Sequence, residues 1–297
     1  MKKNLIRYLF PTIIIALSII FLLRQIRVKK LIEDLKRLTA EKIIILLLLI
    51  GLASFFKCFR WYITINLYSQ LSFKESFKTF SLSYLGNDLM FFGAGDIMRL
   101  TYISKVYNKE SHKTGAAILL EKFIDSIITQ IGCIIGILLF FPKFFFLFPF
   151  SLSFVIISSL LFWKSEVAWK VLKVIPSRRL QNLAKQVAHA LKEIGPKGFC
   201  AVFIMAILSW LIDMCSLKEI FKVLGYDVGL PKLFSAMCIT FTFSLISFIP
   251  GGWGVREGFL SYFAKSLKAS AESGLLVSLI FRFFSYLFFS AFYFFIP

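Results

Sequence analysis

Pro250-Gly251-Gly252-Trp253-Gly254-Val255-Arg256-Glu257-Gly258 follows an apolar run, Leu233 to Ile249, that is about long enough to reach across a membrane. A proline, four glycines and an adjacent Arg/Glu pair are costly in hydrocarbon. Backbone released from a helix at that depth must line a cavity or be buried in protein. Charge inside a membrane marks a functional site by default. The stretch therefore predicts a broken membrane helix at which something polar meets the protein, with a new helix restarting near Val255.

Working outward, the rest of the chain has the same character. It is 58% hydrophobic, has 37 phenylalanines in 297 residues and a mean hydropathy of +0.80, which excludes an ordinary soluble domain. Apolar runs recur near 5–23, 43–66, 76–92, 114–141, 144–163, 199–220, 233–249 and 274–296. They predict an all-α, multi-pass transmembrane bundle of about eight spans, and not the short alternating strands of a β-barrel. The first run lacks a small-residue cleavage site, so it reads as a retained helix and not a signal peptide.

The net charge of +19 is mainly topological. Seven basic residues fall in 24–42 and eight in 164–198, whereas the connections 67–75, 142–143 and 223–232 are poor in them. Placing both rich loops in the cytoplasm satisfies the positive-inside rule, and the four intervening spans give the even number of crossings this needs. Nucleic acid is not an expected partner. Both loops are also amphipathic: Val28, Leu31, Ile32, Leu35 and Leu38 share one helical face, as do Leu180, Leu183, Val187 and Leu191. They read either as interfacial helices facing anionic lipid headgroups or as linkers packed on the bundle. The chain then reads as one integral domain, with a first half of about 43–163, a second of about 199–297 and a basic linker, 164–198, between them.

Cys58, Cys133, Cys200, Cys215 and Cys238 are scattered, odd in number and without a Cys-x-x-Cys, and read as small buried apolar residues. His112 and His189 lie in connections without partners at ligand spacing, so neither metal nor cofactor is expected.

A weaker version of the opening stretch stands half a chain earlier. Gly93-Ala94-Gly95-Asp96-Ile97-Met98-Arg99 also follows a short apolar run, 76–92, and Gly93-x-Gly95 aligns with Gly252-x-Gly254. After a one-residue gap, Tyr102, Lys105 and Lys122 precede Tyr262, Lys265 and Arg282 by 160 residues. Paired glycine-interrupted segments in two halves are the best sequence pointer to a transporter's binding site. The two short runs either span or re-enter, which leaves parallel and inverted halves both open.

Several charges fall within these segments: Lys57, Arg60, Asp88, Asp96, Arg99, Glu121, Lys122, Asp125, Arg256, Glu257 and Arg282. A buried charge costs roughly several kcal/mol unless it is paired. Glu121 and Asp125 are four residues apart on one helical face and need a cation such as Arg99, Arg256 or Arg282 between them. Two readings stand here. One is a buried ion-pair network that fixes helix register. The other is a charged cavity for an anionic headgroup, with the glycine-rich turn and a helix N-terminus offering N–H groups to phosphate and Arg256 adding bidentate contacts.

At these residues the chain resembles the lysylphosphatidylglycerol synthase transmembrane region, a flippase-like family. The resemblance rests on Pro250-Gly251-Gly252-Trp253-Gly254-Val255-Arg256-Glu257, on Asn87 with Gly95-Asp96-x-x-Arg99, on Glu121-Lys122-x-x-Asp125 and on Arg282. Asp96 stands where the family usually has Glu, Lys122 where it has Arg, and Phe91-Phe92 where Pro-Gly is common. The resemblance implies lipid handling. It covers the membrane part and not the separate soluble module that transfers amino acids in full-length synthases, so it implies no lysyl transfer by these residues.

The function expected from this is a flippase of the cytoplasmic membrane, moving an anionic phospholipid or a polyprenyl-phosphate-linked glycolipid. Its expected headgroup site comprises Asn87, Gly95, Asp96, Arg99, Glu121, Asp125, Gly251, Gly252, Gly254, Arg256, Glu257 and Arg282. The phosphate would sit between Arg99, Arg256 and Arg282, with Glu121, Asp125 and Glu257 neutralising the arginines in the empty site. The alternatives are a membrane-embedded transferase acting on a lipid-linked sugar or headgroup, and a scaffold in cell-envelope assembly. No catalytic motif and no large loop for a donor nucleotide support the transferase.

Overall fold

In the computed structural model, the described residues are 27–90, 93–163, 193–247 and 249–295, together with Gln186 and His189. Among them the chain is all-helical. A short α1 (Val28–Leu35) leads into α2 (Ala40–Asn66), α3 (Phe73–Leu89), α4 (Ala94–Val106) and α5 (Ser111–Leu139). A 3-10 turn at Pro142–Leu147 precedes α6 (Phe148–Trp163). The second series is α7 (Gly195–Val223), α8 (Leu230–Ser247), a tight turn at Pro250–Gly252, α9 (Val255–Ser266) and α10 (Ala271–Phe295).

Five of these helices, α2, α5, α7, α8 and α10, are long and apolar enough to cross a membrane. The expected count of about eight is not reached among the described residues, and each shortfall has its reason. Segment 5–23 lies outside them. Segment 144–163 is split, because Pro142 starts a 3-10 turn and leaves α6 only 16 residues. Segment 76–92 becomes the 17-residue α3, which buries Ser76, Thr79, Ser81 and Ser83 and stops at Leu89, where Met90 turns extended. Its start is fixed by a capping box in which Ser72 and Glu75 satisfy each other's backbone N–H groups.

The bundle is inverted with respect to a soluble protein. Large apolar side chains such as Leu48, Leu139 and Phe294 are exposed, while Arg60, Arg99, Arg256 and Arg282 are buried. That distribution suits a molecule solvated by lipid, with its polar groups turned inward. Cys58, Cys133 and Cys238 are buried as expected, but Cys200 and Cys215 are exposed.

The two series correspond in order, with α2–α5 matched by α7–α10. Their contacts are reciprocal: α3 packs on α10 as α8 packs on α5, and α2 packs on α7. The correspondence extends to the breaks. Gly93 caps α4 with φ 78° and Gly254 caps α9 with φ 79°, a left-handed conformation that favours glycine. The structural partner of Gly93 is therefore Gly254 and not Gly252, which shifts the sequence alignment by two residues.

Both readings of the first basic helix have support. α1 is tied to the bundle by Arg27 to Glu272 at 3.2 Å and by Arg37, which donates to the Leu224 carbonyl. Its Ile32 and Leu35 remain exposed. The second amphipathic face, around Leu180 to Leu191, lies outside the described residues.

α4 lies so close against α3 that a Cβ at Gly95 would collide with the Ser83 carbonyl, whereas one at Gly258 would meet nothing. Gly95→Val is expected to destabilise the protein by about 1–3 kcal/mol, and Gly258→Ala to leave it unchanged or slightly more stable. Thermal denaturation in detergent checks both.

Candidate functional site

Between the two series lies a cavity of about 260 Å³. Along one side runs a ladder of alternating charge. Lys122 Nζ lies 3.2 Å from Asp96 Oδ2, and Arg99 joins Asp96 and Glu121 at 3.1 Å each. Arg60 then takes Glu121 at 3.1 Å and Asp125 at 2.6 Å. Trp210 closes the series by donating its Nε1–H to Asp125 at 3.1 Å. Arg99 also lies 3.9 Å from the centre of the Trp61 ring, so its apolar face is covered as well as its edges.

Glu121 and Asp125 thus do share a cation, but it is Arg60 from α2, which the sequence reading left out of the site. Arg99 reaches only Glu121 of the two, and Arg256 and Arg282 reach neither.

A second network ties the breaks together behind the cavity. Glu257, the third residue of α9, accepts from the Gly254 N–H at 2.7 Å and so caps its own helix. Its other oxygen accepts from Arg282 Nε and the Ser278 hydroxyl, both at 2.9 Å. Arg282 also pairs with Asp88 at 3.3 Å and donates to the Gly251 carbonyl at 2.7 Å. Tyr286 donates to Asp88 at 2.7 Å, and Trp253 Nε1 donates to the Asp88 carbonyl at 3.1 Å. In the first break Asn87 Oδ1 accepts from the Asp96 N–H at 3.3 Å. Side chains of the protein therefore already occupy donors at both helix starts that sequence analysis offered to a phosphate.

Of the twelve expected site residues, Asn87, Asp96, Arg99, Glu121, Asp125 and Arg256 line the cavity. Gly95, Gly251, Gly252, Gly254, Glu257 and Arg282 do not. They pack and cap the breaks behind it. Lys57, Arg60, Asp88, Trp210 and Asp213 line it as well. Asp213 is the one with the plainest missed signal, a carboxylate in the apolar run 199–220 well inside its ends.

The cavity is lined by five basic side chains and five carboxylates, yet the pairing is uneven. Lys122, Arg99 and Arg60 belong to the ladder, and Lys57 pairs with Asp213 at 2.8 Å. Asp88 is turned away to Arg282. Among the described residues this leaves Arg256 as the buried arginine with no carboxylate in ion-pair range. Its Nε has no hydrogen-bond partner, and its guanidinium stands 5.6 Å and 5.3 Å from the centres of the Phe241 and Phe281 rings.

A charged cavity set among broken helices in an apolar-surfaced bundle defines an integral, multi-pass membrane protein. A family model, the lysylphosphatidylglycerol synthase TM region, matches residues 8–292, and the chain belongs to that family. None of the curated proteins compared matches it.

The two kinds of arginine separate in a stability experiment. Arg60→Met leaves Asp125 without its ion-pair partner and Glu121 with Arg99 alone, and is expected to cost about 3–5 kcal/mol. Arg256→Met strands no partner and is expected to melt at or above the wild-type temperature in detergent.

Proposed function

We propose that the protein translocates a lipid with an anionic phosphate headgroup, an anionic phospholipid or a polyprenyl-phosphate-linked glycolipid, and that Arg256 receives the phosphate. The observation that carries this reading is the buried Arg256, which faces the cavity without a carboxylate partner while Arg60, Arg99 and Arg282 each have two. An uncompensated guanidinium in a low-dielectric site is held against its desolvation cost, and a phosphate supplies the missing charge with bidentate geometry.

The dimensions support the same reading. A cavity of about 260 Å³ is smaller than the roughly 300–1,000 Å³ that encloses a drug-sized ligand. It suits a headgroup whose chain stays in lipid. At the first break Leu89, Met90 and Ile97 are exposed, and the neighbouring Lys122 side chain is half exposed, so an apolar surface adjoins the charged lining. The cavity would lower the barrier to carrying charge through about 30 Å of hydrocarbon. Membership of a lipid-handling family is consistent with this cargo.

In proteoliposomes carrying fluorescent phosphatidylglycerol and a leaflet-specific quencher, Arg256→Ala is expected to slow translocation about ten- to a hundredfold, the worth of a charged hydrogen-bonded contact. Arg256→Lys should retain an intermediate rate, because the charge is kept and the bidentate geometry lost. An unchanged rate for Arg256→Ala at equal incorporation would refute the reading. A new lipid species detected by mass spectrometry on adding an activated sugar donor would favour a transferase instead.

A further inference from the structure

Lys57 and Asp213 form an ion pair unlike those of the ladder. Each ladder carboxylate has two or more partners, whereas Asp213 meets Lys57 through Oδ2 at 2.8 Å while its buried Oδ1 has no hydrogen-bond partner. The pair joins α2 to α7 and lines the same cavity as Arg256. Lys57 Nζ stands 5.5 Å from the centre of the Phe281 ring, against which Arg256 also rests at 5.3 Å. Two cations from different helices thus share one aromatic ring. One of them is unpaired, and the other is held by a single carboxylate oxygen.

We propose that Lys57 is the second cation of the anion site, with Asp213 as its placeholder in the empty protein and a phosphate seated at Arg256 taking it over. This rests on the reading that Arg256 receives the anion. A lysine suits an exchangeable role: its ammonium is a compact charge with three donors on a flexible four-carbon stem. An arginine held by two carboxylates at once, like Arg60, does not. The exchange also gives binding a mechanical consequence. Moving Lys57 from Asp213 to the ligand breaks the ion pair between α2 and α7, which join the two matched helix series. The ligand class is a phosphate group, whether on a lipid or free.

The test measures binding of fluorescent phosphatidylglycerol to the purified full chain in detergent, with inorganic phosphate as competitor. The Lys57→Met/Asp213→Asn double variant removes both charges and strands neither. It should bind at least about tenfold more weakly than wild type. Asp213→Asn alone frees Lys57 and should bind severalfold more tightly, whereas a purely structural pair would make that variant weaker or neutral. Wild-type binding by the double variant, or unimproved binding by Asp213→Asn, overturns the inference. If Arg256→Ala loses binding in that case, the proposed function stands without Lys57. If Arg256→Ala also binds normally, the underlying reading falls with it. Displacement by inorganic phosphate, lost together with lipid binding in the double variant, supports a site for phosphate itself. Loss of lipid binding without such displacement supports a site for the lipid headgroup.

Discussion

Arg60 holds Glu121 and Asp125, two carboxylates one helical turn apart on α5, inside a bundle whose outer surface is apolar. Glu121 is buried and the two carboxylates repel, so the geometry of α5 against α2 is set by where one guanidinium can reach both. Arg99 continues the constraint by binding Glu121 and Asp96, which fixes the broken helix α4 against α5. Trp210 extends it to α7. Apolar packing alone does not specify such a register, because lipid solvates an aliphatic face as well as a neighbouring helix does. The ladder selects one arrangement of α2, α4, α5 and α7, and the cavity is the space that arrangement leaves.

The same constraint explains what is free to act. Arg60, Arg99 and Arg282 each have two carboxylate partners, and they serve as struts. Arg256 faces aromatic rings, which cover its faces but neutralise none of its charge. A ladder of neutralised pairs beside one uncompensated cation makes a local positive potential, although the lining as a whole balances. The two readings offered by the sequence, structural ion network and charged cavity, are therefore not rivals. The first builds the second.

Much of the architecture was legible because it is local. Glycines and proline after an apolar run marked the second break, and α9 does begin at Val255. The four-residue spacing placed Glu121 and Asp125 on one face. Arg60 was not legible as their partner, since it lies 61 residues from Glu121 and nothing in the spacing selects it over Arg99 or Arg282. The count of about eight spans is not reached among the described residues for a different reason. Hydropathy reads 76–92 and 144–163 as apolar lengths, but the polar buried face of α3 and the turn at Pro142 shorten the helices they form. At the start of α9 a further signal was present. Gly254-x-x-Glu257 is the spacing of a capping box, and the carboxylate takes the Gly254 N–H.

Matching Gly93 to Gly254 shows where the two breaks agree and where they differ. In both breaks a left-handed glycine caps the restarting helix, and the third helical residue is acidic, Asp96 or Glu257. Each acid then pairs with a basic residue on the long helix that follows, Lys122 or Arg282, themselves 160 positions apart. The second helical residue is where the halves part. In the first break it is Gly95, and the missing side chain lets α4 close onto the Ser83 carbonyl of α3. In the second it is Arg256, whose side chain lines the cavity unpaired. A side chain at 95 would force α4 off α3, and a glycine at 256 would leave the cavity without its uncompensated charge. One half closes tightly at this position and the other leaves an unpaired cation in the cavity, and the difference is carried by one position.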